Sequence, residues 1–505
     1  MTRRPPFRCA VVGGCLTALV VPGLAVPATS ARPAPRVPAS NGRDRAGPIR
    51  HVIEVMLENH TEDNLFASFP GARGVPAGTV LADPGVAGGK ASPSVAPPNE
   101  GEVQGGLNNS RGAELAMMDR RNGRYQMDGY ARFPGEGRSA LTTFSPAVDP
   151  NLQFLARHFE LADRNFQPVV APTLPNVLFA LAATSHGALT NDVPDTGSWW
   201  TIFDELAAAH RSWRIYSGVP TWVYQNTVWT RLLPPGGESD LVGASRFFAD
   251  LRQGRLPDFS FVRPGVGYSE EPPEDVGEGD LWLGEVVAAL AGSRYWGSTA
   301  LFVTYDEGGG FYDHVPPPLV PQSDGEGTRT PLVVVSPYAR RGVFDASTTN
   351  VSILSFVQHL WGLVPLNSLN AAQNNLVRAF DFQGKPLPPP HLPLAPPATI
   401  GFSGAGELAD VPPGAPGRAL KVRLQVNTPG LAPDPAVSGV VRLTTVPPAG
   451  VASPTGVPAL VGLVGGRATL TLRIAHPGYY RIHAQGPDKS VGWLTLDVGV
   501  GPNTP

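Results

Sequence analysis

The alternation of hydrophobic and polar positions divides the chain into two regions with different periods. From residue 49 to about residue 365, short apolar runs alternate with amphipathic segments that have the period of an α-helix. The strongest strand candidates are residues 49–57 and 300–305. Strands that alternate with helices favour a parallel or mixed sheet with helices on both faces. The pattern therefore predicts an α/β domain over residues 49–382.

Further elements of this domain follow from the same periods. Strands are predicted over residues 212–216, 259–262 and 332–336, and helices over residues 114–124, 150–159, 177–183, 201–210, 244–253, 279–291 and 350–360. Thr173 is predicted to be the N-cap of the third of these helices, with Pro175 in its first turn.

The period changes after a proline-rich tract. Residues 383–400 are predicted to be a semi-rigid linker. Beyond it, short β segments separated by turn residues are predicted over residues 420–426, 439–445, 467–474, 479–484 and 492–498. Residues 401–505 are therefore predicted to form a small all-β sandwich.

The first residues have the pattern of an export signal. Residues 1–31 combine arginines, an apolar run and a small-residue cleavage site, which predicts a signal peptide, and residues 32–48 predict a disordered leader. Both cysteines, Cys9 and Cys15, lie in the signal, so we expect a secreted protein without disulfides. The net charge of −3 gives no basic field for nucleic acid.

Two pairs of polar residues follow the two strongest strand candidates. Glu58 and Asn59 end the first strand, and Asp306 and Glu307 end the second, before three consecutive glycines. If these strands are parallel neighbours, the four side chains meet at one edge of the sheet. Three carboxylates share a site only with a cation, because like charges raise one another's pKa. An all-oxygen ligand set favours Mg²⁺, Ca²⁺ or Mn²⁺ over Zn²⁺.

Thr173 is the candidate nucleophile. A hydroxyl group at a helix N-terminus beside a metal lies where phosphate binds and where an alkoxide is stabilised. Taken by itself, the residue is better explained as an ordinary helix cap.

A set of nine short motifs follows in order along residues 49–365. The motifs are Glu58-Asn59-His60-Thr61-Glu62-Asp63, Met127-Asp128-Gly129-Tyr130, Thr173-Leu174-Pro175-Asn176, Ala183-Thr184-Ser185-His186-Gly187, Thr201-Ile202-Phe203-Asp204, Tyr305-Asp306-Glu307, Asp313-His314-Val315-Pro316, Arg329-Thr330-Pro331 and Ser336-Pro337-Tyr338. This ordered set resembles the bacterial phosphoesterase family of secreted phospholipases C and related acid phosphatases, which has an alkaline-phosphatase-like core.

The resemblance implies a mostly parallel sheet flanked by helices, and roles for particular residues. It implies metal ligation by Glu58, Asn59, Thr173, Asp306 and Glu307, and transient phosphorylation of Thr173. Asn176 lies in the motif of the nucleophile and is counted with the catalytic residues. His186 and His314 are the candidates for the general acid.

The chain also departs from the family pattern. Asn109, Glu271 and Asn350 stand where many members have histidine, Val177 replaces an arginine, and Glu62 replaces a phenylalanine. Loss of the histidines would change specificity or lower activity. Glu271 is a substitute acid if burial raises its pKa.

These observations predict a secreted, metal-dependent phosphoric ester hydrolase acting on phospholipids or small phosphomonoesters. The alternative is a catalytically impaired member that acts as a secreted binding protein. The C-terminal β region is a candidate for contact with a membrane or the cell wall, and the oligomeric state is left open.

Overall fold

The computed structural model describes residues 47–85, 88–95, 107–134, 139–192, 199–218, 231–265, 268–272, 274–319, 325–393, 399–403, 419–427, 435–446, 456–473, 478–487 and 491–498. The predicted signal peptide and nearly all of the predicted leader lie outside the described residues.

The first region of the chain forms an eight-stranded mixed sheet. Its strands are β1 (His51–Leu57), β2 (Glu160–Leu161), β3 (Trp213–Ser217), β4 (Leu241–Val242), β5 (Phe259–Arg263), β6 (Thr299–Tyr305), β7 (Leu332–Val335) and β8 (Gly342–Val343). They lie in the order β4-β3-β5-β1-β6-β7-β2-β8. Strand β7 runs antiparallel to both neighbours, and the remaining pairs are parallel. The predicted α/β class, with a mostly parallel sheet, is confirmed.

Strands β1 and β6 lie side by side in the middle of this sheet. Their register runs from His51 opposite Thr299 to Leu57 opposite Tyr305. Every residue of β6 is buried, so both faces of the sheet are covered here. Because the two strands end at the same level, the residues that follow them leave the sheet together.

Nine α-helices are described around the sheet. They are α1 (Glu62–Phe66), α2 (Arg111–Met118), α3 (Pro150–His158), α4 (Thr173–Ala182), α5 (Ile202–Ala208), α6 (Ser245–Gln253), α7 (Val276–Ala291), α8 (Val351–Trp361) and α9 (Ser368–Ala372). Helix α3 packs against α7, and α4 packs against α8. Their apolar sides and the strands enclose one large hydrophobic core. No helix in the described part of the chain is both long and apolar enough to cross a membrane.

Two predicted helix boundaries are wrong. Helix α2 ends at Met118 because Asp119 adopts a left-handed conformation, and a hairpin pairs Arg120–Arg121 with Arg124–Tyr125. The hairpin turns through Asn122 and Gly123, at φ 53° and 77°, a turn sequence that competes with helix. Helix α4 begins at Thr173 itself, with Pro172 as its N-cap.

The described part of the predicted linker lies on the α/β domain. Leu387 donates its backbone N–H to the carbonyl of Pro337 at 2.7 Å, and its own carbonyl accepts from the indole of Trp296 at 3.3 Å. Leu387 and Leu392 also pack against the main core. The start of this segment is therefore an edge of the domain, because Leu387 and Leu392 are partly buried against its core.

The C-terminal region forms a seven-stranded, mostly antiparallel sheet. Its strands are β9 (Thr399–Ser403), β10 (Ala419–Asn427), β11 (Gly439–Val446), β12 (Leu460–Leu463), β13 (Arg467–Arg473), β14 (Gly478–Gln485) and β15 (Val491–Val498). The order is β12-β11-β14-β15-β9-β10-β13. The two edge strands, β12 and β13, are joined by only three residues, so the sheet must curl until its edges meet. It thereby encloses its own apolar core. The predicted boundary between residues 400 and 401 falls inside β9.

Candidate active site

The carboxyl ends of β1 and β6 bring together the two predicted polar pairs. Asp306 Oδ1 accepts hydrogen bonds from the backbone N–H of Glu307 at 2.9 Å and of Asn59 at 3.4 Å. Glu58, Asn59, Asp306 and Glu307 are all buried. The parallel pairing of the two strands thus produces the expected convergence of side chains.

The glycines after Glu307 allow the two loops to touch. Gly309 has φ 64°, and a Cβ atom there would lie 2.3 Å from the carbonyl oxygen of Asn59. A larger residue would push the loop after β6 away from the loop after β1.

The side-chain amide of Asn59 lies against two carboxylates. In one orientation its nitrogen donates to Asp306 Oδ1 at 3.1 Å and to Glu307 Oε1 at 3.0 Å. In the other orientation its oxygen takes that place, and three oxygen atoms face one another. That arrangement is repulsive without a cation and is the usual ligand set of a hard divalent ion.

The electrostatics of the four residues also favour a cation. Burial, and then the charge of Glu58, raise the pKa of Asp306 to about 7, against the opposing effect of Arg263. Burial, Glu114 and Asp306 raise the pKa of Glu307 well above its usual range. Asp306 Oδ2 is buried and has no hydrogen-bond partner among the described residues. A divalent ion would relieve both the repulsion and the missing partner.

Four more side chains surround these ligand candidates. Arg263, at the end of β5, forms a buried ion pair with Glu58. Asn109 donates to Glu307 Oε1 at 2.7 Å. The pKa of the Glu271 carboxyl is raised well above its usual range by burial and then by the neighbouring Glu58. Burial raises the pKa of Glu114 to about 8.

The sequence predicts the position of some of these neighbours better than that of others. Arg263 could have been found, since it is a polar residue at the end of a predicted strand. Glu114 gives no such signal, because only the packing of α2 beside the loop after β6 brings it to the cluster. Asn109 and Glu271 are two of the departures from the family pattern described in the sequence analysis, and both lie against proposed ligands.

Thr173 is the first residue of α4 and faces the cluster. Its hydroxyl interacts with the Asp306 carboxylate, which lowers the pKa of Asp306 in opposition to burial. The first helical turn is capped by another residue, because Asn191 Oδ1 accepts from the N–H of Leu174 at 2.9 Å. Thr173 is therefore not the predicted cap, and its hydroxyl is available beside the carboxylates.

Asn176 uses its side chain to hold the segment before Thr173. Its Nδ2 donates to the carbonyls of Ala171 at 2.7 Å and Pro172 at 3.2 Å, and its Oδ1 accepts from the N–H of Val169 at 3.4 Å. Asn176 is fully buried. These contacts indicate a positioning residue for the nucleophile.

The two histidines predicted as general acids have other neighbours. His186 lies beyond the C-terminal end of α4 and stacks on Trp199, with ring centroids 4.5 Å apart. Burial lowers its pKa. His314 Nδ1 lies 2.6 Å from Asp63 Oδ2. A role for either residue as an acid stays a prediction from sequence.

A second group of ligand-type atoms lies around a buried arginine. Asp63, Asp313 and His314 each offer one atom within 4.8 Å of the others. Arg329 already donates to Asp63 Oδ1 at 2.9 Å and, through Nε, to Asp313 Oδ1 at 2.9 Å. It is fully buried and also donates to the carbonyls of Arg73 and Asp163. The guanidinium thus already supplies the positive charge at this group.

Comparison with curated proteins finds phospholipases C. The chain is 32% identical over 254 residues to "Non-specific phospholipase C6" of Arabidopsis thaliana, covering 45% of this chain and 48% of that protein. It is 25% identical over 316 residues to "Hemolytic phospholipase C" of Pseudomonas aeruginosa, covering 48% and 43%. It is 29% identical over 287 residues to "Phospholipase C B" of Mycobacterium tuberculosis, covering 46% and 55%. The chain thus spans about half the length of these relatives.

Comparison with solved structures finds a protein of the alkaline phosphatase superfamily from Vibrio parahaemolyticus. The similarity covers 77% of this chain and 79% of that one, at 12% sequence identity and a TM-score of 0.38.

Comparison with family models gives one match over most of the α/β domain. The model of the Phosphoesterase family matches residues 49–364, which contain β1 to β8 and the whole carboxylate cluster. The chain belongs to the Phosphoesterase family.

Proposed function

We propose that this chain is a metal-dependent phosphoric ester hydrolase with Thr173 as its nucleophile. The observation that carries the proposal is the placement of the Thr173 hydroxyl against Asp306, within a buried set of carboxylates that raise one another's pKa even though Arg263 pairs with Glu58. Glu58, Asn59, Asp306 and Glu307 would hold the ion, with Thr173 beside it. When bound, a divalent ion would polarise the phosphoryl oxygens and stabilise an alkoxide.

The chain's own residues account for the covalent steps. Thr173 Oγ loses its proton to water and forms a bond to phosphorus while the bond from phosphorus to the leaving alcohol breaks. The leaving alcohol takes up a proton from an acid, for which His186 and His314 are the predicted candidates. Water then attacks the phosphothreonine, releases phosphate or a phosphorylated headgroup, and restores the hydroxyl of Thr173.

Phospholipids are the first substrate class to test, because the similar curated proteins are named phospholipases C. Small phosphomonoesters are the second class. We also propose that the protein is exported, on the basis of the signal pattern in residues 1–31.

The test compares the wild type with Thr173→Ala, and uses Thr190→Ala, an exposed threonine, as the matched control. Substrates are p-nitrophenyl phosphate, p-nitrophenylphosphorylcholine and phosphatidylcholine, each with EDTA or with added Mg²⁺, Ca²⁺ or Mn²⁺. We expect turnover by the wild type and by Thr190→Ala only with metal, and no turnover by Thr173→Ala.

A second readout identifies the intermediate. Acid quenching during turnover, followed by peptide mass spectrometry, should find phosphate on Thr173. Metal binding without turnover on any of the three substrates would contradict the proposal and favour a binding protein. Turnover that survives Thr173→Ala would exclude the nucleophile.

A further inference from the structure

The C-terminal sheet packs apolar side chains on its inner side and exposes basic side chains on its outer side. Along β10, Val422, Leu424 and Val426 are buried, whereas Lys421 and Arg423 are exposed. This alternation is the period of a strand with one buried and one open face. The open face of β10 is therefore basic.

Strand β13 extends the same face. In the register, Arg473 lies opposite Ala419 and Arg467 lies opposite Gln425. Residues directly opposite in an antiparallel pair point to the same side of the sheet, so both arginines share the side of Lys421 and Arg423. Both are exposed.

Exposed aliphatic side chains continue this face onto the next strands. Val464, in the turn between β12 and β13, is 81% exposed and pairs with Arg467. Leu460 of β12 is 57% exposed and lies opposite Arg442 of β11, which is also exposed. Val440, two residues before Arg442, is 53% exposed.

We call this set of eight side chains the basic face. It consists of Lys421, Arg423, Arg442, Arg467, Arg473, Val440, Leu460 and Val464. Among the described residues from 399 to 498, Asp497 of β15 is the only acidic one. The basic face is therefore strongly positively charged, although the net charge of the chain is −3.

We propose that the basic face docks the protein on an anionic phospholipid bilayer. Each Lys or Arg close to an anionic membrane strengthens binding about fivefold, and five of them together give a useful affinity. Exposed aliphatic side chains among the basic ones suit a surface with an apolar layer beneath anionic headgroups. A soluble polyanion would use the charges but leave the aliphatic side chains in water. The docking extends the proposed function, since a lipid substrate lies in a bilayer, but it is measured without turnover.

The test is co-sedimentation of the full chain with vesicles of phosphatidylcholine alone or with added phosphatidylglycerol, at low and high salt. We expect binding only to the phosphatidylglycerol vesicles, and its loss at high salt. Lys421→Glu/Arg423→Glu/Arg473→Glu should weaken binding at least about tenfold. Val440→Ser/Leu460→Ser/Val464→Ser should weaken it several-fold at unchanged charge, about what losing three shallow apolar contacts gives.

Matched variants separate docking from net charge and from catalysis. Lys90→Glu/Arg341→Glu/Lys385→Glu makes the same charge change at exposed positions outside the C-terminal sheet and should bind like the wild type. Thr173→Ala should also bind like the wild type, and the variants of the basic face should keep wild-type turnover of p-nitrophenyl phosphate.

Several results would overturn the docking proposal whatever the outcome for Thr173. These are equal binding to neutral vesicles, wild-type binding by both variants of the basic face, equal loss in the control triple variant, or binding to heparin in place of vesicles. If the charge variants fail to fold, as judged by circular dichroism, the lipid and salt dependence of the wild type decides.

Discussion

Two buried aspartates show that surroundings, and not residue type, decide what a carboxylate does. Asp306 has an oxygen without a hydrogen-bond partner in the described part of the protein, and burial and the neighbouring Glu58 raise its pKa. Asp63 is equally buried, but it bonds to Arg329 and contacts His314. The first environment suits an added cation, because Arg263 pairs with Glu58 and leaves the Asp306 pKa raised, whereas in the second Arg329 pairs with both Asp63 and Asp313.

Replacing Arg329 with leucine should destabilise the protein strongly. The substitution leaves Asp63 and Asp313 buried without their partner, and breaking a buried pair in this way costs about 3–5 kcal/mol. The measurement is the free energy of unfolding from urea titration, in EDTA.

The matched control is Arg341→Leu, at an exposed position, which should change the free energy of unfolding by less than about 0.5 kcal/mol. A similar, small change in both variants would show that the Arg329 network does not stabilise the fold. Rescue of Arg329→Leu by divalent ions would instead identify the Asp63 group as a metal site.

At the scale of elements, the N-terminus of α4 is fixed by contacts on both sides of Thr173. Asn191 caps Leu174 inside the helix, and Asn176 bonds the carbonyls of Ala171 and Pro172 before it. The helix start thereby presents the threonine hydroxyl to the edge of the sheet, where β1 and β6 end.

Asn176→Ala should lower both the stability and the turnover of the enzyme. It leaves buried backbone groups of the 169–172 segment without partners, which costs about 1–3 kcal/mol, and it frees the chain before Thr173 to move. Urea unfolding and steady-state kinetics on p-nitrophenyl phosphate measure the two effects.

The pair of readouts distinguishes positioning from direct catalysis. If Asn176 is a positioning residue, Asn176→Ala should lower kcat and the free energy of unfolding together. An Asn176→Ala variant of wild-type stability but without turnover would instead support the catalytic role predicted from the motif.

At the scale of the whole molecule, buried carboxyl groups make stability depend on pH. Burial raises the pKa of Glu205 and Asp280 to about 7 and that of Glu285 to about 8. In the unfolded chain these groups ionise near pH 4. Between those values the folded state binds more protons, so its stability falls as the pH rises.

Buried histidines act in the opposite direction over a lower range. Burial lowers the pKa of His60 to about 4, so its contribution to stability grows from about pH 4 until the unfolded histidine has titrated, near pH 6.5. Above pH 6.5, only the buried carboxyl groups among these residues still make the folding stability depend on pH.

The free energy of unfolding in EDTA should therefore fall between pH 6.5 and pH 8. Glu285→Gln keeps the shape of the side chain but removes its titration, so the fall should be smaller by about 1–2 kcal/mol over this range. Glu238→Gln, at an exposed site, should follow the wild type. Equal slopes in all three proteins would show that Glu285 is not held protonated.

Much of the fold could be predicted because its signals are local. Strands β1, β3, β5, β6 and β7 and helices α3, α5, α6 and α8 lie within a few residues of their predicted places, since each has an apolar run or stripe of the right period. The strands β2, β4 and β8 were not predicted, because two residues are too few to show a hydrophobic alternation. The error in α2 came from giving its apolar stripe more weight than the Asn122-Gly123 turn.

Part of the site was visible in the sequence for the same reason. Glu58, Asn59, Asp306 and Glu307 directly follow strong strands, so their positions depend only on those strands being parallel neighbours. The places of Glu114 and Glu271 depend on how a helix and a loop pack over that edge. The contacts of His186 and His314 also depend on packing, which the hydrophobic periodicity of the sequence does not predict.

The sequence by itself determined the α/β class, the change to β structure after residue 400, and which polar pairs end the central strands. Local hydrophobic periods and chain order are sufficient for these features. Only the tertiary structure decided that Thr173 begins a helix instead of capping it, that Asn176 holds the segment before it, and that Arg329 fills the Asp63 group. These features arise from contacts between residues far apart in the chain, where packing selects one partner from several of suitable chemistry.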